Sequence, residues 1–280
     1  MKNKRLTAKD FDPKILELYD HYAHGKMTKR ELLKNIGKYT AASVTALSVF
    51  NNLMPNYALA EQVNFNDPEI KANYITYNSG NGNGKINAYY VKPSKITEKT
   101  SAVLVIHENR GLNPYIKDVA RRVAKAGFIA LAPDGLSSLG GYPGNDAEGK
   151  ILQKKIDREK LLNDFFNAFE FLYSHQDTNK KIGAVGFCYG GGVCNALAVA
   201  YPELSASVPF YGSQARSEDV KKIKTPLLLH YAEFDERINK GWPEYEAALK
   251  ANNKKYQAYI YKDCNHGFHN DSTPRYDEKN

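Results

Sequence analysis

The stretch Ile182-Gly183-Ala184-Val185-Gly186-Phe187-Cys188-Tyr189-Gly190-Gly191-Gly192 constrains this chain of 280 residues more than any other. An apolar run stops at Cys188 and a run of small residues, Val193 to Ala200, follows, which reads as buried strand, sharp turn and helix. A turn that lifts one side chain above a sheet leaves no room for a Cβ two positions before or after it. Gly186 and Gly190 meet that demand, so the spacing is that of a nucleophile elbow with cysteine at its tip. The helix that follows aims its N-terminus at the sulfur, favouring a thiolate and the negative charge of an acyl intermediate. Two blander readings compete. A phosphate loop would need Gly-Lys-Ser/Thr or G-x-G-x-x-G, and this run matches neither. A structural cysteine at a strand end is set aside only by finding its partners.

A cysteine nucleophile needs a base to take its proton and a group to orient that base. In open α/β sheets such groups collect beyond the carboxyl ends of strands. After the apolar run Leu227 to Tyr231 comes Ala232-Glu233-Phe234-Asp235, and after Tyr256 to Tyr261 comes Lys262-Asp263-Cys264-Asn265-His266-Gly267-Phe268. The order Cys188, Asp235, His266, with steps of 47 and 31 residues, is the nucleophile, acid, histidine order of α/β-hydrolases. An oxyanion hole would use the backbone N–H of Tyr189 and a second from the loop His107-Glu108-Asn109-Arg110-Gly111, with Asn109 as the candidate. Glu108 falls at the mouth of the elbow, where a carboxylate could hold the thiol proton until substrate arrives; a plain surface glutamate is the alternative.

The remaining pattern supports this frame. Tyr74 to Tyr77 and Ile86 to Val91 alternate and read as an antiparallel pair around the turn-rich link Asn78 to Gly84. Ala102 to His107 is a continuous apolar strand, followed by a helix from Pro114 to Ala126 that Gly127 ends, and then a strand from Phe128 to Ala132. Leu136 to Gly149 reads as loop and pocket rim, and Ile151 to Tyr173 as one long helix. Ala206 to Tyr211, Pro226 to Tyr231 and Tyr256 to Tyr261 are strands, with a helix at Glu244 to Asn252. Strands alternating with helices predict a mostly parallel central sheet with helices on both faces, over residues 61–280.

Residues 1–60 are compositionally separate. They carry ten basic and five acidic residues, so +5 of the net +8 sits there and the rest of the surface is ordinary, which argues against a nucleic-acid partner. Thr28-Lys29-Arg30-Glu31-Leu32-Leu33-Lys34, an apolar segment from Ile36 to Met54 and Ala58-Leu59-Ala60 are the parts of an export signal of twin-arginine type, with one arginine replaced by lysine. The other reading is a retained helical extension that packs on the domain or on a second subunit as a homodimer. The first would make the protein periplasmic or exported, the second cytoplasmic. No apolar run is long enough for an ordinary membrane span, and three cysteines (188, 194, 264) without Cys-x-x-Cys spacing suggest neither a disulfide framework nor a metal site.

Gly186-Phe187-Cys188-Tyr189-Gly190-Gly191, His107-Glu108-Asn109-Arg110-Gly111, Ala132-Pro133-Asp134, Asp235 and His266-Gly267-Phe268 together resemble the dienelactone hydrolase family of α/β-hydrolases, from about residue 70 to the end. The resemblance implies Cys188 as nucleophile, His266 as base, Asp235 as its orienter and Glu108 as the residue gating Cys188 ionisation. It implies a cofactor-free hydrolase of small esters or lactones. The pocket departs from the muconate-pathway members, in which one arginine shortly after the Pro-Asp turn and another four residues after the histidine clamp a carboxylate. Here those places hold Gly135 to Leu139 and Asn270. Candidate substrate contacts are therefore Arg110, Tyr142 and Phe268, with Arg110 equally suited to positioning its loop and Arg275 a further substitute. Rival expectations are a thiol or peroxide redox protein using Cys188 with Cys264, and a binding protein that keeps the fold without turnover.

Overall fold

The computed structural model describes residues 5–40, 45–96 and 98–280. Two compact units are present: one comprises Glu61–Tyr231 and Asp235–Ile260, the other Met1–Ala60, Ala232–Phe234 and Tyr261–Asn280. Eight strands, β1 (Ile70–Ser79), β2 (Gly84–Pro93), β3 (Thr100–Ile106), β4 (Ile129–Pro133), β5 (Thr178–Phe187), β6 (Ala206–Phe210), β7 (Leu227–Phe234) and β8 (Tyr256–Asn265), form one sheet in the order β1-β2-β4-β3-β5-β6-β7-β8. β1 and β2 pair antiparallel with Tyr77 opposite Ile86, as the alternation predicts, and β2 also meets β4 antiparallel. β3 runs parallel to both β4 and β5, β5 to β6, and β6 to β7.

Ten α-helices accompany the strands among the described residues. In the N-terminal segment they are α1 (Pro13–Ala23), α2 (Lys29–Ile36), α3 (Ala46–Leu53) and α4 (Tyr57–Ala60). The others are α5 (Pro114–Lys125), α6 (Asp146–Gln153), α7 (Arg158–Ser174), α8 (Tyr189–Ala200), α9 (Glu236–Asn239) and α10 (Trp242–Ala251). Strand side chains alternate between the two faces of the sheet. Ala102, Leu104 and Ile106 of β3 share one buried core with Leu161, Phe165 and Phe169 of α7 and with Val193 and Leu197 of α8. On the opposite face Phe187 packs its ring against Tyr115 of α5, 5.6 Å between centroids.

One expected element is broken. Ile151 to Tyr173 is not a single helix: α6 begins at Asp146, inside the stretch read as loop, and stops at Gln153. α7 starts afresh with Asp157 as its N-cap, whose carboxylate accepts the N–H groups of Glu159 and Lys160 at 2.9 and 3.0 Å. A cap of this kind satisfies otherwise orphaned amides and so competes with a continuous helix.

The other unit has its own core. Ile15, Leu16, Tyr19 and Tyr22 of α1 pack with Leu32 and Ile36 of α2 and with Val49, Phe50 and Leu53 of α3. Thr28 opens α2 with a capping box: its hydroxyl accepts the Glu31 N–H at 3.2 Å, and Glu31 accepts the Thr28 N–H at 2.7 Å. Residues 41–44, part of the apolar segment of the export-signal reading, lie outside the described residues.

Candidate active site

The sheet order decides where a site can form. From β3 the chain moves to β4 on one side and then crosses to β5 on the other, so β3 and β5 flank the point at which the strand order reverses. Crevices at such points, beyond the strand carboxyl ends, are where open α/β sheets bind ligands. The loop His107 to Gly111 leaves β3 there, and Cys188 follows β5.

Cys188 has φ 55° and ψ −110°, a strained conformation for a residue with a Cβ, and it stands at the N-terminus of α8 with its side chain partly exposed. Its N–H donates to the Phe210 carbonyl at 3.0 Å, tying the elbow to β6. The glycines on either side are required by backbone, not by side chains. A Cβ on Gly186 would strike the Gly190 carbonyl, and one on Gly190 would strike the Ile106 carbonyl and lie 2.8 Å from that of His107. That second contact sets the start of α8 directly against the end of β3, and hence beside the loop that carries Glu108 and Asn109.

This loop is held from the far side by a buried histidine. His107 Nε2 accepts the Gly135 N–H at 3.0 Å, which leaves Nδ1 to donate to the Glu108 carbonyl at 2.6 Å. Burial lowers the His107 pKa, so the ring is neutral and the donor and acceptor roles are unambiguous. Asp134, quoted in the sequence only as part of a Pro-Asp turn, proves to be the hub of the rim. Its Oδ1 accepts the Leu136 and Leu112 N–H groups at 3.0 and 3.4 Å, and Oδ2 accepts that of Tyr142 at 2.7 Å. Nothing in the local sequence announces that role, because its three partners come from two separate loops.

Arg110 is buried with its Nε 3.6 Å from Asp146 Oδ2, and the Tyr142 hydroxyl donates to Asp146 Oδ1 at 2.9 Å. Two of the three candidate substrate contacts thus meet at one carboxylate at the head of α6. Lys150, a turn further on, has its pKa pushed down to about 8 by burial first and by the Arg110 and Lys154 charges next.

Asp235 is buried and caps α9, its Oδ1 accepting the Ile238 N–H at 3.4 Å. Cys188, Asp235, Glu108, Asn109, Tyr189, Arg110 and Tyr142 all lie in the larger unit. His266 and Phe268 lie in the other, on the turn after β8, where both are buried and Phe268 packs on Tyr261 at 4.9 Å. Asn270, at the place of the second clamping arginine, is committed internally: its Oδ1 accepts the Ser272 N–H at 3.1 Å and hydroxyl at 2.5 Å. Ser137, near the place of the first, accepts the Asn87 N–H at 2.9 Å and donates to the Asp134 carbonyl at 2.6 Å.

The family model described as the dienelactone hydrolase family matches residues 86–280, which contain every one of these groups. The chain belongs to the dienelactone hydrolase family. It is a hydrolase of the α/β-hydrolase fold. A relative named as a carboxymethylenebutenolidase in Saccharolobus solfataricus is 31% identical over 233 residues, covering 70% of this chain and 88% of its own. A hydrolase fragment, YghX, of Escherichia coli (strain K12) is 68% identical over 114 residues, 41% of this chain and 97% of the fragment. Among solved structures, the dienelactone hydrolase of Anabaena variabilis superposes with a TM-score of 0.56 at 20% identity, covering 74% of this chain and 92% of that one, and so speaks to the fold. A separate family model, YqhI-like, matches residues 2–38, outside the dienelactone hydrolase region.

Proposed function

We propose that the protein hydrolyses small, uncharged esters or lactones through an acyl-enzyme formed on Cys188. The observation that carries this reading is the strained elbow: a cysteine at φ 55° at the start of α8, on the switch point of the sheet, held there by glycines that tolerate no Cβ. In the proposed cycle Cys188 Sγ attacks the acyl carbon, its proton passing to His266 Nε2, which then protonates the leaving alkoxide. Water attacks the thioester with His266 as base, the acid departs and the thiol is regenerated. Asp235 orients and stabilises the imidazolium, the Tyr189 and Asn109 N–H groups receive the oxyanion, and Glu108 holds the resting thiol. The chemistry calls for no cofactor.

The preference for uncharged substrates rests on the engaged polar groups at the two clamp positions and on Arg110, which faces Asp146. The redox alternative is weakened by Cys264, whose thiol burial pushes up to about 11, leaving little thiolate to resolve an oxidised partner.

The test is a substrate panel of dienelactone, short p-nitrophenyl esters and a thioester, with wild type and Cys188→Ala side by side. Wild type should turn over the neutral esters, and Cys188→Ala should lose at least about 1,000-fold in kcat. Wild-type activity in Cys188→Ala would end the reading, and strong turnover of dienelactone would end the preference for uncharged substrates.

A further inference from the structure

The turn that carries His266 is built against the N-terminal segment. His24, which closes α1, forms a T-shaped ring pair with His266, with centroids 4.7 Å apart and planes at 86°. Its orientation is fixed within its own helix: His24 Nδ1 lies 2.9 Å from the Asp20 carbonyl oxygen and 3.1 Å from Asp20 Oδ1. Arg275 completes the group. Its guanidinium lies over the Tyr19 ring at 5.1 Å, and its Nη1 is 3.9 Å from Asp20 Oδ1. The same guanidinium backs Gly267, where φ is +87° and an added Cβ would come within 3.1 Å of Nη2.

Asp20 is mostly buried, and burial raises its pKa. The His24 hydrogen bond and the charges of His266, His24 and Arg275 outweigh burial and hold the carboxyl well below the usual range. Two further ties join the N-terminal segment to the residues after His266. The Asn56 N–H donates to the Ser272 carbonyl at 2.7 Å, and Arg5 donates to the Asp271 carbonyl.

We propose that His24, oriented by Asp20, is a positioning residue for His266, so that the N-terminal segment is a working part of the enzyme and not a leader discarded before it acts. The inference rests on the reading of His266 as the catalytic base and adds what holds that base. An imidazole on a turn needs its plane fixed if one nitrogen is to accept a proton in a defined direction, and small misplacements of a reacting group are costly. The His24 ring supplies that restraint from the end of α1, and the Arg275 guanidinium backs the adjacent Gly267.

The experiment uses the full chain with His24→Ala, His24→Gln and Asp20→Asn, assayed on an ester that wild type hydrolyses, with far-UV circular dichroism and thermal melting alongside. The expected result is a kcat lowered about 10- to 100-fold, KM within about twofold of wild type, an unchanged spectrum, and partial restoration of His24→Ala by added imidazole. Wild-type kcat in the variants would overturn the inference. So would losses that track a lowered melting temperature and resist imidazole, since His24 would then be a structural prop. A readout free of turnover separates this from the functional reading. Histidine-selective NMR should give a nuclear Overhauser contact between the two rings and a sharp His266 resonance that broadens in Asp20→Asn. If no ester is hydrolysed, or His266→Ala is fully active, the functional reading fails by itself. An unchanged His266 resonance in Asp20→Asn overturns the positioning inference in either case.

Discussion

Two buried histidines outside the proposed triad make the fold sensitive to acid. His230 stacks on Phe210, 4.2 Å away with planes nearly parallel at 11°, and on Tyr259 at 6.1 Å, and burial lowers its pKa from 6.5 to about 4. His107 is likewise held neutral by burial while it fixes the Glu108 loop. For both, the folded pKa lies below the unfolded one, so the unfolded chain binds more protons in between. For His230 this stability is full above about pH 6.5 and is lost as pH falls toward 4. Urea unfolding at pH 7 and pH 5 should differ by about 1–2 kcal/mol on account of His230, and His107 acts in the same direction. His230→Phe keeps the stack and should flatten part of that slope; an unaltered slope would remove His230 as a cause. Both histidines were visible in the sequence, but their burial was not, because each is covered by residues from other strands and loops.

The elbow is an element whose glycines can be ranked. Gly190→Ala would push a Cβ into the Ile106 and His107 carbonyls, backbone atoms of a central strand end that cannot swing aside. A cost of about 2–4 kcal/mol is expected, with loss of activity as the start of α8 shifts. Gly192, two residues on, has only ordinary contacts at 3.6 Å or more, so Gly192→Ala should be neutral or gain up to about 1 kcal/mol of helix propensity. Thermal unfolding of the pair decides, and equal melting temperatures would mean that the steric account of the elbow is wrong. The break between α6 and α7 shows the opposite side of legibility. Residues 154–157 hold one apolar residue, Ile156, among three charged ones, Lys154, Lys155 and Asp157, and the Asp157 cap marks the new start. A single aspartate is too common a residue to announce a helix break from the sequence alone.

At the scale of the molecule, the question is whether residues 1–60 stay. Val49, Phe50 and Leu53, which an export signal would use as its apolar stretch, are buried with α1 and α2, and His24 faces His266. N-terminal sequencing of protein from its native host should therefore find the segment intact; a start near Glu61 would return it to the role of a leader. The site as a whole was legible to differing depths. Steric rules at a turn and the period of apolar residues are local, so the chain alone announced the Cys188 elbow, the sheet class and the order of Cys188, Asp235 and His266. What meets what across the chain is not local. The Asp20 and His24 pair was readable as neighbours one helical turn apart, yet their place beside His266, and Asp134 gathering amides from two loops, exist only because distant segments close on one another. No pattern within a helix or a strand encodes that closure, since the His24–His266 and Leu112–Asp134 contacts join groups far apart in the chain.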